Sequence, residues 1–132
     1  MLDVTVPGLL FGMSIGRPGC FFGGCCAGRP TASRWGVWSS DRSVGVRRIP
    51  VQLIESASSC TLAVAAMPAV LLTYPATGGL IFVSAIAANT FIRQLLFPLR
   101  ETQRATAHGR TLTMAVTALV MAADLAIALN AH

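Results

Sequence analysis

Arg17 and Arg93 stand where a guanidinium is costly to place. Arg17 lies in IGRPGCFFGGCCAGRP, residues 15–30, among three cysteines and five glycines. Arg93 lies in FIRQLLFPLR, inside an apolar stretch with no acidic residue between positions 79 and 99. An arginine buried in an apolar run marks a site by default. Its planar, permanently charged fork matches a phosphate through two parallel hydrogen bonds. The bland alternative for Arg93 is snorkelling, because its long stem lets the charged head reach the interface from one turn inside. Arg100 follows seven residues later, on the same face if the helix continues, although Pro98 should kink or end it.

The other reactive groups are weaker candidates. Cys20, Cys25 and Cys26 have neither zinc-ligand nor CxxC redox spacing, Cys60 sits in a separate apolar segment, and His108 and His132 are remote. No metal site is expected, and small packing residues in a glycine-rich turn are the plain reading. A Cys20–Cys25 or Cys20–Cys26 disulfide would require an extracytoplasmic face. Asp124 lies about 20 Å from the end of its segment that Arg93 approaches to within about 10 Å, so the two should not pair. Asp124 should instead bond a neighbouring helix's hydroxyls or sit near the far interface. His108, in a linker, is more simply a solvated loop residue than a base.

These residues require a membrane frame. The chain has 132 residues, 54% apolar and only 11% charged, with a mean hydropathy of +0.66. Soluble domains carry about 25% charged residues. The net charge is +5 and all ten basic residues are arginines. They flank apolar runs rather than alternating with aromatics on a polar surface, which excludes nucleic acid and favours phospholipid phosphate or the membrane surface as partner. Most of them individually also fit ordinary loop charge. The first residues lack the basic start and small-residue cleavage site of a signal peptide.

Four apolar segments follow, at 4–16, 53–74, 79–99 and 111–131. The last three have the roughly 20 residues that a spanning helix needs. Alternating ten-residue strands are missing, so a barrel is excluded. The expected fold is an all-α integral membrane protein, residues 1–132 forming one membrane domain with three full transmembrane helices plus a truncated N-terminal one. The first segment covers only about 20 Å. It reads as the second half of a spanning helix, as in a truncated product or one partner of a split protein. Alternation of direction puts the linkers 29–50 and 100–110 on one side, with Arg17 and Arg93 facing that side together. Glu101 and Arg104 belong to the second linker, and the 75–78 linker is short and uncharged. The positive-inside rule alone would make the arginine-rich side cytoplasmic.

The run GRPGCFFGGCCAGRP, followed by RWGV and IPVQLIES, resembles the prolipoprotein diacylglyceryl transferase family. Its signature has the form Gly-Arg-Ile-Gly-Asn-Phe-x-x-Gly-Glu-x-x-Gly-Arg, then a Trp-Gly-Val-like step, then His-Pro-x-Gln-Leu-Tyr-Glu. Gly16, Arg17, Gly19, Phe21, Gly24, Gly28 and Arg29 fall on it, as do Trp35, Gly36, Val37, Pro50, Gln52, Leu53 and Glu55. Arg93 and Arg100 fit the two arginines of the family's Arg-x-x-x-Glu-x-x-Arg helix end. Cys20 stands for the usual Asn, Cys25 for Glu, Phe97 for the intervening Glu, and Ile49 and Ile54 for His and Tyr. A cysteine-bearing branch of the family shares the Cys20, Cys25 and Cys26 pattern. The earlier helices of the family, with their functional His and Tyr, have no counterpart here.

The resemblance implies transfer of the diacylglyceryl group of phosphatidylglycerol to the thiol of a lipobox cysteine in a prolipoprotein, without metal or cofactor, at the bacterial plasma membrane. It implies catalytic roles for Arg17 and Arg93 and substrate contacts from Gly19, Cys20, Gly24, Cys25, Gly28, Gln52 and Arg100. It also places the 29–50 linker on the extracytoplasmic side, against the positive-inside rule. A complementing N-terminal subunit would be a further partner. The alternatives are a catalytically inactive remnant, a small membrane subunit that packs on a partner, or a cysteine-using membrane enzyme.

Overall fold

The computed structural model describes residues 2–38, 45–73, 78–100 and 108–130. Glu101, Arg104, Asp41, Arg42, His132 and positions 75–77 lie outside them. Four helices carry the fold: α1 (Leu2–Phe22), α2 (Val51–Thr73), α3 (Leu80–Leu96) and α4 (Gly109–Asn130). Between α1 and α2 a two-residue antiparallel pair forms, β1 (Val37–Trp38) with β2 (Arg47–Arg48), registering Val37 opposite Arg48. Pro98 ends α3 as expected, and residues Phe97–Leu99 tighten into a 3-10 turn. Segments Val51–Thr73, Leu80–Leu99 and Gly109–Ile127 are long and apolar enough to cross a membrane.

The helices meet along narrow stripes. Val51, Gln52, Glu55, Ser59, Ala63, Ala66 and Val70 form the buried face of α2, at three- and four-residue steps. Asp3, Val6, Leu10 and Ser14 form that of α1. Val6 and Leu10 interlock with Ala63, Ala66 and Val70 to make the core, and small residues there let the backbones approach. Leucines such as Leu71, Leu72 and Leu119 point outward and are exposed, as lipid-facing residues must be. Asn89 ties three helices: it accepts from Ser59 Oγ at 2.9 Å and its Nδ2 reaches Met13 Sδ at 3.7 Å. Asp124 accepts a hydrogen bond from Ser84 Oγ at 3.1 Å, the hydroxyl partner anticipated from its depth.

α1 is longer than the 4–16 segment read from the sequence and runs through Arg17 and Pro18 to Phe22. Proline normally breaks a helix because it leaves the carbonyl four residues back without a donor. Here that carbonyl belongs to Ser14, and Ser56 Oγ of α2 donates to it at 2.7 Å. A hydroxyl from the neighbouring helix thus replaces the missing N–H, as membrane helices tolerate proline in general. The other end of α1 is also engaged. Asp3 is buried and accepts from the backbone N–H groups of Gly79 and Phe82 at 2.7 and 2.8 Å. It caps α3 from a distance, because Gly79 has no side chain for the purpose.

Ser56→Ala should therefore destabilise the bundle by about 1–2 kcal/mol through the orphaned Ser14 carbonyl. Ser58→Ala removes only a bond within its own helix and should be close to neutral. Thermal unfolding of the two variants in detergent makes the comparison.

Candidate active site at the arginine-rich end

Glu55 is the centre of the site. It is 1% exposed and lies one turn into α2. Arg17 Nε, at the end of the α1 stripe, stands 3.2 Å from Oε2. Arg100 Nη2, just after the 3-10 turn, donates to both carboxylate oxygens at 2.5 and 2.6 Å. A carboxylate so buried cannot persist charged without such partners. Arg100 Nε is buried with no hydrogen-bond partner among the described residues.

Arg93, in the last turn of α3, stands within electrostatic reach of Arg17, Glu55 and Arg100. It is half-buried and makes no hydrogen bond or ion pair among the described residues. Among the described residues, three arginines thus share this end with one carboxylate, an excess of two positive charges. Arg17, Arg93 and Arg100 come together on one side, as the alternation of the segments required.

The glycine–cysteine turn is built around them by backbone contacts. Gly23 and Cys25 N–H groups close the end of α1 on the carbonyls of Gly19 and Cys20. Gly24 takes φ of +68° and Cys26 of +56°, left-handed values that glycine adopts freely and cysteine rarely. Gln52, itself buried, donates from Nε2 to the Cys25 carbonyl at 2.9 Å. Gly28 bridges Arg100 and has no room for a side chain, since a Cβ would sit 2.2 Å from the Ile49 carbonyl oxygen. Arg29 N–H donates to the Leu99 carbonyl at 2.8 Å, Ile49 N–H to that of Arg29 at 3.1 Å, and Arg48 Nη1 to that of Gly28 at 3.3 Å. Gln52 and Gly28 are thereby engaged in holding the turn. Gly16 and Gly19 face open space, so their surface is accessible.

The four cysteines are free thiols. Cys25 Sγ points at the Cys20 carbonyl, 3.6 Å away. A side-chain hydrogen bond with Cys20 pushes the Cys25 thiol above its ordinary value, with partial desolvation and the neighbouring thiols adding to it. His108 is exposed in the turn before α4.

The prolipoprotein diacylglyceryl transferase family model matches residues 1–130. The chain belongs to the prolipoprotein diacylglyceryl transferase family. Family membership and the three span-length helices together make it a multi-pass membrane protein. A phosphatidylglycerol–prolipoprotein diacylglyceryl transferase of Dehalococcoides mccartyi is 42% identical over 59 residues, 42% of this chain and 23% of that protein. Another so named, from Clostridium tetani, is 37% identical over 59 residues, 42% of this chain and 24% of its own length. A second D. mccartyi strain has one 61% identical over 28 residues, 21% of this chain and 11% of that protein. Each match covers under a quarter of the relative's length. No solved structure matches.

Within the family motif, Glu55 falls on the signature but carries no role in the sequence pattern alone. Its signal is that it is the single acidic residue of α2 and sits on the buried three–four stripe. Ser56, which supports Pro18, gives no sequence signal beyond being a hydroxyl.

Two outcomes follow. Glu55→Gln should destabilise by up to about 3–5 kcal/mol, since it leaves the part-buried Arg17 and Arg100 without their counter-charge, measured as loss of thermal stability in detergent. The pH midpoint of Cys25 alkylation by iodoacetamide, followed by peptide mass spectrometry, should lie above the pH of about 8.5 at which an ordinary thiol is half ionised. The raised value keeps the reactive thiolate scarce until higher pH.

Proposed function

We propose that this chain carries the phosphate-holding side of a diacylglyceryl transferase site, at which phosphatidylglycerol donates its diacylglyceryl group to a lipobox cysteine thiol of a prolipoprotein. The observation that carries the reading is the guanidinium of Arg93, with no hydrogen bond or ion pair among the described residues, beside a carboxylate already shared by Arg17 and Arg100. Among the described residues this cluster carries an excess of positive charge, and a phosphodiester supplies an anion for it.

In the reaction the thiolate sulfur attacks the glyceryl carbon next to the phosphate. A C–S bond forms, the C–O bond to phosphate breaks, and the electron pair leaves on the glycerol phosphate oxygen. The thiol proton is lost to a base or to solvent before attack. Charge therefore builds on the phosphate, where fixed arginines stabilise it most. Arg93 and Arg17 take the catalytic roles, with Arg100 and Glu55 fixing the fork of Arg17. Gly19 and Gly24, with Cys20 and Cys25, offer a surface free of bulky side chains for the glycerol head group to approach. Gly28 and Gln52 act by holding that surface in place.

The cellular setting goes with the family: a bacterial plasma membrane, with the 29–50 linker on the extracytoplasmic side where lipoboxes emerge. Residues 1–132 act as one membrane unit, and a complementing N-terminal subunit is part of the reading. A transfer assay tests it, using membranes depleted of endogenous transferase, phosphatidylglycerol and a lipobox peptide, with and without the upstream reading frame co-expressed. A diacylglyceryl mass gain on the peptide thiol is the expected result. Arg93→Lys should lower kcat about 10–100-fold with little change in thermal stability, the scale of a charge-assisted hydrogen bond lost from the transition state. No transfer under either condition would sink the enzyme reading in favour of a non-catalytic membrane subunit.

A further inference from the structure

The turn between α1 and α2 presents a second cationic surface, separate from the cluster around Glu55. Trp35 and Trp38 are 74% and 64% exposed. The Arg34 guanidinium lies over the Trp35 ring, 5.2 Å from its centroid. Arg47 locks this tip in place, donating from Nε to the Gly36 carbonyl at 2.9 Å and from Nη2 to the Arg34 carbonyl at 3.2 Å. Beside it runs a groove of about 440 Å³ lined by Ile49, Pro50, Ile54 and Leu99 together with Trp35, Thr31 and Ser33.

Charge and position both restrict what can fill this groove. Arg29 and Arg34 are exposed and meet no carboxylate among the described residues. The three described carboxylates are all engaged elsewhere: Asp3 caps α3, Asp124 bonds Ser84, and Glu55 holds Arg17 and Arg100. The groove opens where two spans begin and end, at Val51 and Leu99, which is the head-group depth of a bilayer. Tryptophan and arginine are the residues that settle at that depth, one for the interface and the other for anionic phosphate. An apolar lining of Ile49, Pro50, Ile54 and Leu99 suits an acyl chain.

We propose that this groove binds an anionic phospholipid of the surrounding bilayer, its phosphate at Arg34 and Arg29 and one acyl chain along Ile54 and Leu99. The site is independent of transfer chemistry. It would hold anionic lipid against the turn after α1, whatever reaction follows.

The chain contains only two tryptophans, both on this tip, so intrinsic fluorescence reports on it alone. The full-length chain is reconstituted in phosphatidylcholine vesicles and titrated with phosphatidylserine brominated on its acyl chains, an anionic lipid that is not the proposed donor. Saturable quenching is expected, lost mostly in Trp35→Phe and little in Trp38→Phe. Arg29→Gln and Arg34→Gln should each weaken the apparent lipid affinity about fivefold. Both side chains are exposed, and unchanged helical circular dichroism confirms that the variants fold. Equal quenching by brominated phosphatidylcholine would overturn the anionic selectivity. Absence of quenching, or quenching indifferent to both arginine substitutions, would overturn the site and leave the tip as a water-facing surface for a protein partner.

Discussion

A single carboxylate in a nearly dry position holds the arginine-rich end together. Glu55 binds Arg17 from α1 and Arg100 from the end of α3, so three elements distant in sequence converge on one pair of oxygens. In low dielectric the acid could not be buried alone, nor the arginines part-buried without it. Once paired, they fix where each guanidinium points. The gain is geometric more than energetic, since a buried ion pair is weakly stabilising at best against an apolar replacement. What it secures is a fixed cationic wall with Arg93 beside it, unpaired among the described residues.

The backbone around this wall is knitted by short cross-links. Gly28 passes against Ile49, Arg29 is held by Leu99, and Gln52 holds Cys25. These contacts leave no space for side chains at the crossing, which is why glycine stands at position 28. They also make the turn rigid without a disulfide. The position of the cysteines at the helix end follows from that packing: small side chains fit where the chain reverses, and the thiol of Cys25 rests on a carbonyl already used by its own backbone.

Much of this was legible in the sequence. Run length alone gives α2, α3 and α4, because roughly 20 apolar residues can do little else than form a spanning helix. Alternation of direction brings Arg17, Arg93 and Arg100 to one end, and depth along the helix gives Asp124 a hydroxyl rather than an arginine as partner. The extent of α1 was not legible. Pro18 signals a stop in any local rule, and only a hydroxyl on another helix, Ser56, lifts it. Nor was the capping of α3 by Asp3, which depends on two residues more than seventy positions apart meeting at the same depth. Local patterns encode period and length, whereas the polar contacts that decide boundaries here are all between elements.

The two charged ends of α1 together act as a ruler. Asp3 grips the start of α3 and Arg17 grips Glu55, with fourteen steps between them, about 21 Å along the axis. Helices that touch through small apolar residues can slide along one another at little cost, because every level of the interface looks alike. Clamps at both ends remove that freedom and set the height of α1 against its neighbours. One residue added between positions 3 and 17 would turn one clamp by about 100° and lengthen the span by about 1.5 Å. The helix could then satisfy one end or the other, and the depth of Arg17 would cease to be defined. The spacing of those two charges, as much as their identity, is thus a fixed dimension of the protein.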